Sequence, residues 1–343
     1  MNKLLRLTTT GLLVSGMSLS LPLLADTAKS SSSQWGEEKF PLLMEGMPDS
    51  PASNGSEAGT SSEDLLRFTL QHRFNGGQPL EKELIEIPFD KLGDNPLVFL
   101  ETIKKNFSKH LANQEKPVTI DTELELVLPA DVTEALGQLP NVSVSTYIER
   151  NGAGNSSLMW PAYRRDVPEK VGKGLIDWKG LNAQFTFTDK FDNLTAALNL
   201  AGFTVTKEND FTASLGKTTF QGAFDANWQP TQIELNLPSF QARQEGEGQM
   251  NLQAFTVDLD ANKTSKGLEL GKMVLKIGHF NFSDEDVEMS FDDLGMSSDG
   301  KEQNEVVNYT LQTQIGKLGL PKELTFGEKL DLGFVGNISF DRL

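Results

Sequence analysis

Between residues 181 and 200 the chain reads LNAQFTFTDKFDNLTAALNL, and apolar and polar side chains alternate with a period of two. Leu181, Ala183, Phe185 and Phe187 share one parity, and Leu194, Ala196, Leu198 and Leu200 share another, with Asn, Gln and Thr between them. Such alternation predicts antiparallel strands with one dry face and one wet face. The same pattern recurs along most of the chain. It appears at Leu66, Phe68, Leu70 and Phe74, with His72 on the same parity, then at Ile120, Leu124, Leu126 and Leu128. Further on come Phe211, Ala213 and Leu215; Ile233, Leu235 and Leu237; and Phe255, Val257 and Leu259. The series closes with Val287, Met289 and Phe291, with Tyr309, Leu311 and Ile315, and with Leu330, Leu332, Phe334, Ile338 and Phe340.

Turn signals separate these runs at Asn75-Gly76-Gly77, Asn151-Gly152, Gln229-Pro230 and Asp299-Gly300. In MVLKIGHFNF the apolar parity changes across Gly278-His279, as a β-bulge would make it do. Two segments read as helix. Asn95 and Pro96 open one whose Leu97, Leu100, Ile103, Phe107 and Leu111 fall on a single stripe. Asp131-Val132-Thr133-Glu134 resembles a capping box for a short second helix that ends before Pro140. The predicted fold class is therefore all-β with minor α: a long antiparallel meander, curled or folded over as an elongated sandwich or taco, with one amphipathic helix near 96–112.

Roughly a dozen strands about 4.8 Å apart and about 20 Å long present a dry face on the order of 1,000 Å². A helix of about 16 residues is about 25 Å long and 10 Å wide, which covers about a quarter of that area. The remainder has to be covered by the sheet itself, by a partner, or by an apolar ligand. Leu100, Phe107, Phe185 and Phe187 are the expected lining if a ligand is the answer.

Ahead of the strands, Lys3 and Arg6 precede an apolar run from Gly11 to Leu24 that ends at Ala25, the layout of a cleavable export signal. Ser15, Ser18, Ser20 and Pro22 interrupt the run, which is short for a membrane span. The expected organisation is a signal over 1–25, a disordered leader rich in Ser, Gly, Pro and acid over 26–63, and one β-rich domain over 64–343. The expected location is periplasmic or secreted after cleavage near Ala25; the alternative is an inner-membrane anchor formed by the uncleaved segment. Absence of cysteine excludes disulfides and thiol chemistry. The formal charge of −17 becomes two units more negative when Lys3 and Arg6 leave, and it repels nucleic acid.

From GKGLIDWKGLNAQFTFTDKFDNLTAALNLAGFTV through LGKTTFQGAFDA, IELNLPSF and LELGKMVLKIGHFNF to KLDLGFVGNISFDRL, the order of elements resembles the YdgA-like family of bacterial envelope proteins, over about 142–343. The resemblance implies a repetitive β domain in the cell envelope and supplies no catalytic, cofactor or metal residue. Members of that family are longer and usually keep an N-terminal anchor.

Chemistry-bearing motifs are sparse. His72, His110 and His279 form no zinc pair, and no G-x-S-x-G elbow is present. Gly216-Lys217-Thr218 echoes the end of a phosphate loop but reads as a strand turn. In DLDANKTSKGLE, Asp258, Asp260, Asn262 and Glu269 take calcium-loop positions, yet Lys263 stands where that loop needs glycine, so a polar hairpin is expected. Trp160, Trp178 and Trp228 are expected as core anchors at strand ends. With 48 acidic residues, paired carboxylates for a hydrolase exist but no pair stands out. The expected function is a non-enzymatic structural or protein-interaction module, acting by self-association or on an envelope partner. A carrier or chaperone for a lipid or other apolar ligand comes second and a hydrolase third; no cofactor and no metal are expected.

Overall fold

The computed structural model describes residues 65–88, 114–189, 193–226, 229–263, 269–284, 287–303, 306–319 and 334–341, together with helical positions at 102, 105, 106 and 109–111. The signal, the leader, Leu97, Leu100, Ile103, Phe107 and Trp228 lie outside the described residues. The chain divides into a smaller unit, residues 1–67 and 86–113, and a larger one, residues 68–85 and 114–343. In the smaller unit Arg67 Nε donates to Glu86 Oε1 at 2.7 Å, Ile87 is buried, and Leu111 closes the described helical positions.

Strands dominate the described chain. They are β1 (Leu65–Phe74), β2 (Glu83–Pro88), β3 (Val118–Leu126), β4 (Val142–Ile148), β5 (Gly154–Trp160), β6 (Tyr163–Val167), β7 (Gly174–Trp178), β8 (Leu181–Phe187), β9 (Asn193–Leu200) and β10 (Phe203–Lys207). They continue as β11 (Phe211–Leu215), β12 (Thr218–Asp225), β13 (Pro230–Gln244), β14 (Gly248–Lys263), β15 (Glu269–Asp284), β16 (Glu288–Gln303), β17 (Val306–Ile315), β18 (Lys317–Gly319) and β19 (Phe334–Asp341). The pairings described between them are antiparallel, as the alternation predicts.

The core follows the parity count. Phe68, Leu70, Ile120, Leu124, Val142 and Ile148 are buried, and His72 is buried in line with them. His72 keeps its place there because Nδ1 lies 2.8 Å from the Thr122 hydroxyl, so two polar groups that burial would otherwise penalise satisfy each other. Asn75 and Gly76 both take left-handed backbone in the turn that follows β1, and Gly77 N–H closes it on Phe74 O. On the solvent side Lys82 Nζ donates to Glu125 Oε2 at 2.8 Å; that bond first, and the carboxylate's charge second, raises the Lys82 ammonium above its usual range.

Two corrections concern local signals. Asp299-Gly300 is no turn: it lies within β16, where Asp299 pairs with Thr310 and Gly300 with Tyr309. Glycine is there because the Tyr309 ring crosses it, 3.0 Å from where a Cβ would stand. The short helix, α1, spans Ala130–Leu136 and begins one residue before the expected cap, after Pro129 and without a side-chain cap. Its last carbonyls are satisfied from β6 instead. Tyr163 Oη donates to Leu136 O at 2.5 Å, Arg165 Nε to Ala135 O and Arg165 Nη2 to Glu134 O, both at 3.0 Å.

The sheet is a fork. One limb runs β1, β3, β4, β5, β8, β9, β12; the other runs β6, β7, β10, β11. They meet on one flank of β13, which pairs with β12 from Pro230 to Asn236 and with β11 from Phe240 to Gln244. On its other flank β13 pairs with β14 along almost its whole length. Chain segments pass from one limb to the other without reversing, at 161–162, 179–180, 201–202 and 216–217. Gly216-Lys217 is thus a passage between collinear strands and not a strand turn.

These passages line up with breaks inside the long strands. Pairing skips Pro238 opposite Ala254, Ala254 opposite Gly278, and Gly278 opposite Asp293, and Gly316 separates β17 from β18. The result is a seam that crosses consecutive strands. At the seam Ala254 and Asp293 have φ of 52° and 53°. A left-handed residue turns the pleat by one position, so the dry parity slips while the register is kept: Phe255 pairs with Ile277 on one side, and Leu252 with Phe280 on the other. The expected bulge at Gly278 is therefore a break shared by both partner strands, not an extra residue in one.

Ala254 tests the seam. A left-handed residue with a Cβ costs about 1–2 kcal/mol, while glycine loses about 0.5–1 kcal/mol of that gain to chain entropy. Ala254→Gly is expected to raise stability by about 0.5 kcal/mol, read as a higher urea midpoint at unchanged slope. A lower midpoint would place Ala254 in ordinary extended backbone.

Candidate functional site

Each face of the sheet carries one distinct feature. On the wet face, a cavity of about 510 Å³ opens across β8, β9, β12, β13 and β14. The register explains why these five strands form a trough. One cross-strand row runs Gln184, Ala197, Gln221, Glu234, Asp258, and the next runs Thr186, Thr195, Ala223, Gln232, Asp260. In each row the side chains drop to a single methyl at one place, Ala197 or Ala223, between larger polar neighbours. Thr186 and Thr195 join hydroxyls at 2.6 Å along one wall.

Glu234 and Asp258 are direct cross-strand partners, with Cβ atoms about 5 Å apart by the geometry of such pairs. Retaining hydrolysis likewise uses a close pair of acids, with the carboxyl groups themselves about 5 Å apart. Division into acid and base needs unlike surroundings, however, and both carboxylates lie exposed among amides, hydroxyls and methyls. Nothing in the trough separates their roles.

The dry face carries the second feature. In the first limb Ala183, Phe187 and Ala196 are buried, and Leu181, Phe185, Leu194, Leu198 and Leu200 are half-buried. Along β14, β15 and β16, Leu259 is buried, whereas Phe255, Leu275, Ile277, Phe280, Phe282 and Phe291 remain half-buried. Phe280 and Phe291 stack with ring centroids 4.9 Å apart. Beside them Met289 is 36% and Val287 40% exposed.

Of the residues expected to line a ligand, Phe185 and Phe187 are the described ones. Phe187 is packed away over Gly154, Phe185 is half-buried on the same strand, and Leu100 and Phe107 lie outside the described residues. The calcium-like positions Asp258 and Asp260 belong to the regular β14 ladder, paired with Val274 and Lys272, and Asn262 pairs with Leu270. Extended strand cannot wrap them around an ion. Among the described residues no group of three or more His, Asp or Glu side chains is placed to hold a metal. His279 sits at the seam with Nδ1 2.6 Å from Asp292 Oδ1, a hydrogen bond across β15 and β16. Trp160 and Trp178 end β5 and β7 as half-buried rings that pack on each other at 4.7 Å, tilted by 48°, with both indole nitrogens buried and without a hydrogen-bond partner.

A protein with these properties is an antiparallel β protein whose one sheet presents two chemically different faces. Over residues 218–332, from β12 onward, the chain is similar to the family described as a bacterial protein of unknown function (DUF945). No curated protein and no solved structure matches it. The matched stretch contains both the half-exposed apolar strands and the part of the trough that β12, β13 and β14 form.

Proposed function

We propose that this is an exported, non-enzymatic interaction module of the bacterial cell envelope, YdgA-like over 142–343, that engages a protein partner through the dry face of β14–β16. The observation that carries this reading is the half-exposed apolar stripe of Phe280, Phe282, Phe291, Met289 and Val287. Contiguous apolar surface of this kind marks an interaction site on a soluble protein, and aromatic and methionine side chains are enriched at such interfaces. The family match lies over the same strands.

The test is detergent-free purification from the native envelope, with sedimentation over a range of concentrations and crosslinking from a photoreactive residue at Met289. A crosslinked protein partner or self-association, weakened about tenfold by Met289→Asp, is expected, since a charge set in an apolar contact costs more than about 1.4 kcal/mol. A monomer that carries stoichiometric lipid in its organic extract would replace this reading with the carrier one.

A further inference from the structure

The trough on the wet face lies across the sheet from the surface assigned above, and its lining has a chemistry of its own. Gln184, Gln221 and Gln232 each offer a planar amide that both donates and accepts. Glu234, Asp258 and Asp260 accept only, and each carboxylate can take two donors at once. No cation lines the cavity. Such a set matches a ligand rich in hydroxyl groups, each of which donates to a carboxylate and accepts from an amide. It repels an anion. A cation is drawn to carboxylates all over a chain of charge −17, so the acids alone do not mark this place. What is local to it is the depression of about 510 Å³ above Ala197 and Ala223, within the range of small-ligand pockets, flanked by amides at register positions that the ladders hold fixed.

We propose that the trough over β8, β9, β12, β13 and β14 is a binding site for a short neutral saccharide chain, with Gln184, Gln221, Gln232 and Glu234 as its hydrogen-bonding residues and Ala197 and Ala223 as the floor that admits it.

The probes are cellotetraose and its N-acetylated counterpart chitotetraose, titrated calorimetrically into the full chain. Saturable binding of at least one is expected. Ala223→Leu fills the floor between Thr195 and Gln232, and Gln221→Ala removes one amide. Each is expected to weaken binding about tenfold, the equivalent of roughly one net hydrogen bond to a charged or polar group. Gln253→Ala, on the same face across the seam, is expected to leave binding unchanged. Matched melting temperatures show that the variants are folded, and Gln221→Ala carries the test alone if Ala223→Leu is not. Three outcomes overturn the proposal: no saturable heat with either tetrasaccharide at millimolar concentration, undiminished binding by the variants, or displacement of the saccharide by spermine at low salt.

Discussion

Gly202→Val is expected to abolish folding or to remove most of the protein's stability. Gly202 is buried on the seam between β9 and β10, with φ of +113°, and its carbonyl accepts from Lys179 N–H at 3.0 Å across the seam. A Cβ there would stand 2.6 Å from Leu215 O and 3.4 Å from the Gly216 carbonyl carbon. Both obstacles are backbone and neither can swing aside. Backbone strain of about 1–3 kcal/mol from the positive φ adds to that overlap, so a total loss of about 4 kcal/mol or more is expected, a large part of the roughly 5–15 kcal/mol that holds a domain together. Soluble yield and urea unfolding of the variant measure it. A midpoint within error of the parent would mean that the chain does not pass between limbs at Gly202.

Phe187→Asp is expected to cost nearly as much, through a different mechanism. The ring is buried on the dry face, paired across the strand with Leu194 and with Gly154, and it occupies the space over Gly154 where a side chain would otherwise be. Aspartate loses that packing and leaves a carboxylate without a partner in an apolar setting, at a cost of several kcal/mol. Phe185→Asp, two residues earlier and half-buried, should cost visibly less. Chemical denaturation of the two variants side by side checks the difference. Equal and small effects would remove Phe187 from the core.

What could be read before the fold was known follows from what is local. Strand parity is a property of neighbours two residues apart, so Phe68, Leu70, Ile120, Ala183, Phe187 and Ile233 are found in the core where the alternation puts them. Even His72 betrays itself by standing in an apolar row. Asp299-Gly300 misleads because glycine serves equally at a reversal and under an aromatic ring, and only the register with Tyr309 tells the two apart. The parity break at Gly278 was visible in β15, but its continuation through Ala254 and Asp293 requires knowing which strands are neighbours. The trough was illegible for the same reason. Ala197 and Ala223 are unremarkable residues in separate strands until the ladder sets them among Gln184, Gln221 and Gln232, and Glu234 and Asp258 are two acids among 48 until they pair.

The double pairing of β13 has a consequence for the order in which the chain assembles. From β13 to β17 each long strand pairs with the next in sequence, and such low-contact-order hairpins close early. The flank of β13 that takes β11 and β12 behaves differently, because those two strands must arrive end to end, each at the tip of its own limb. A limb that has slipped by a single residue would bring its tip to β13 with the wrong face inward and the junction at Gly216-Lys217 out of reach. The fork therefore closes on β13 only when both ladders place the seam at the same point.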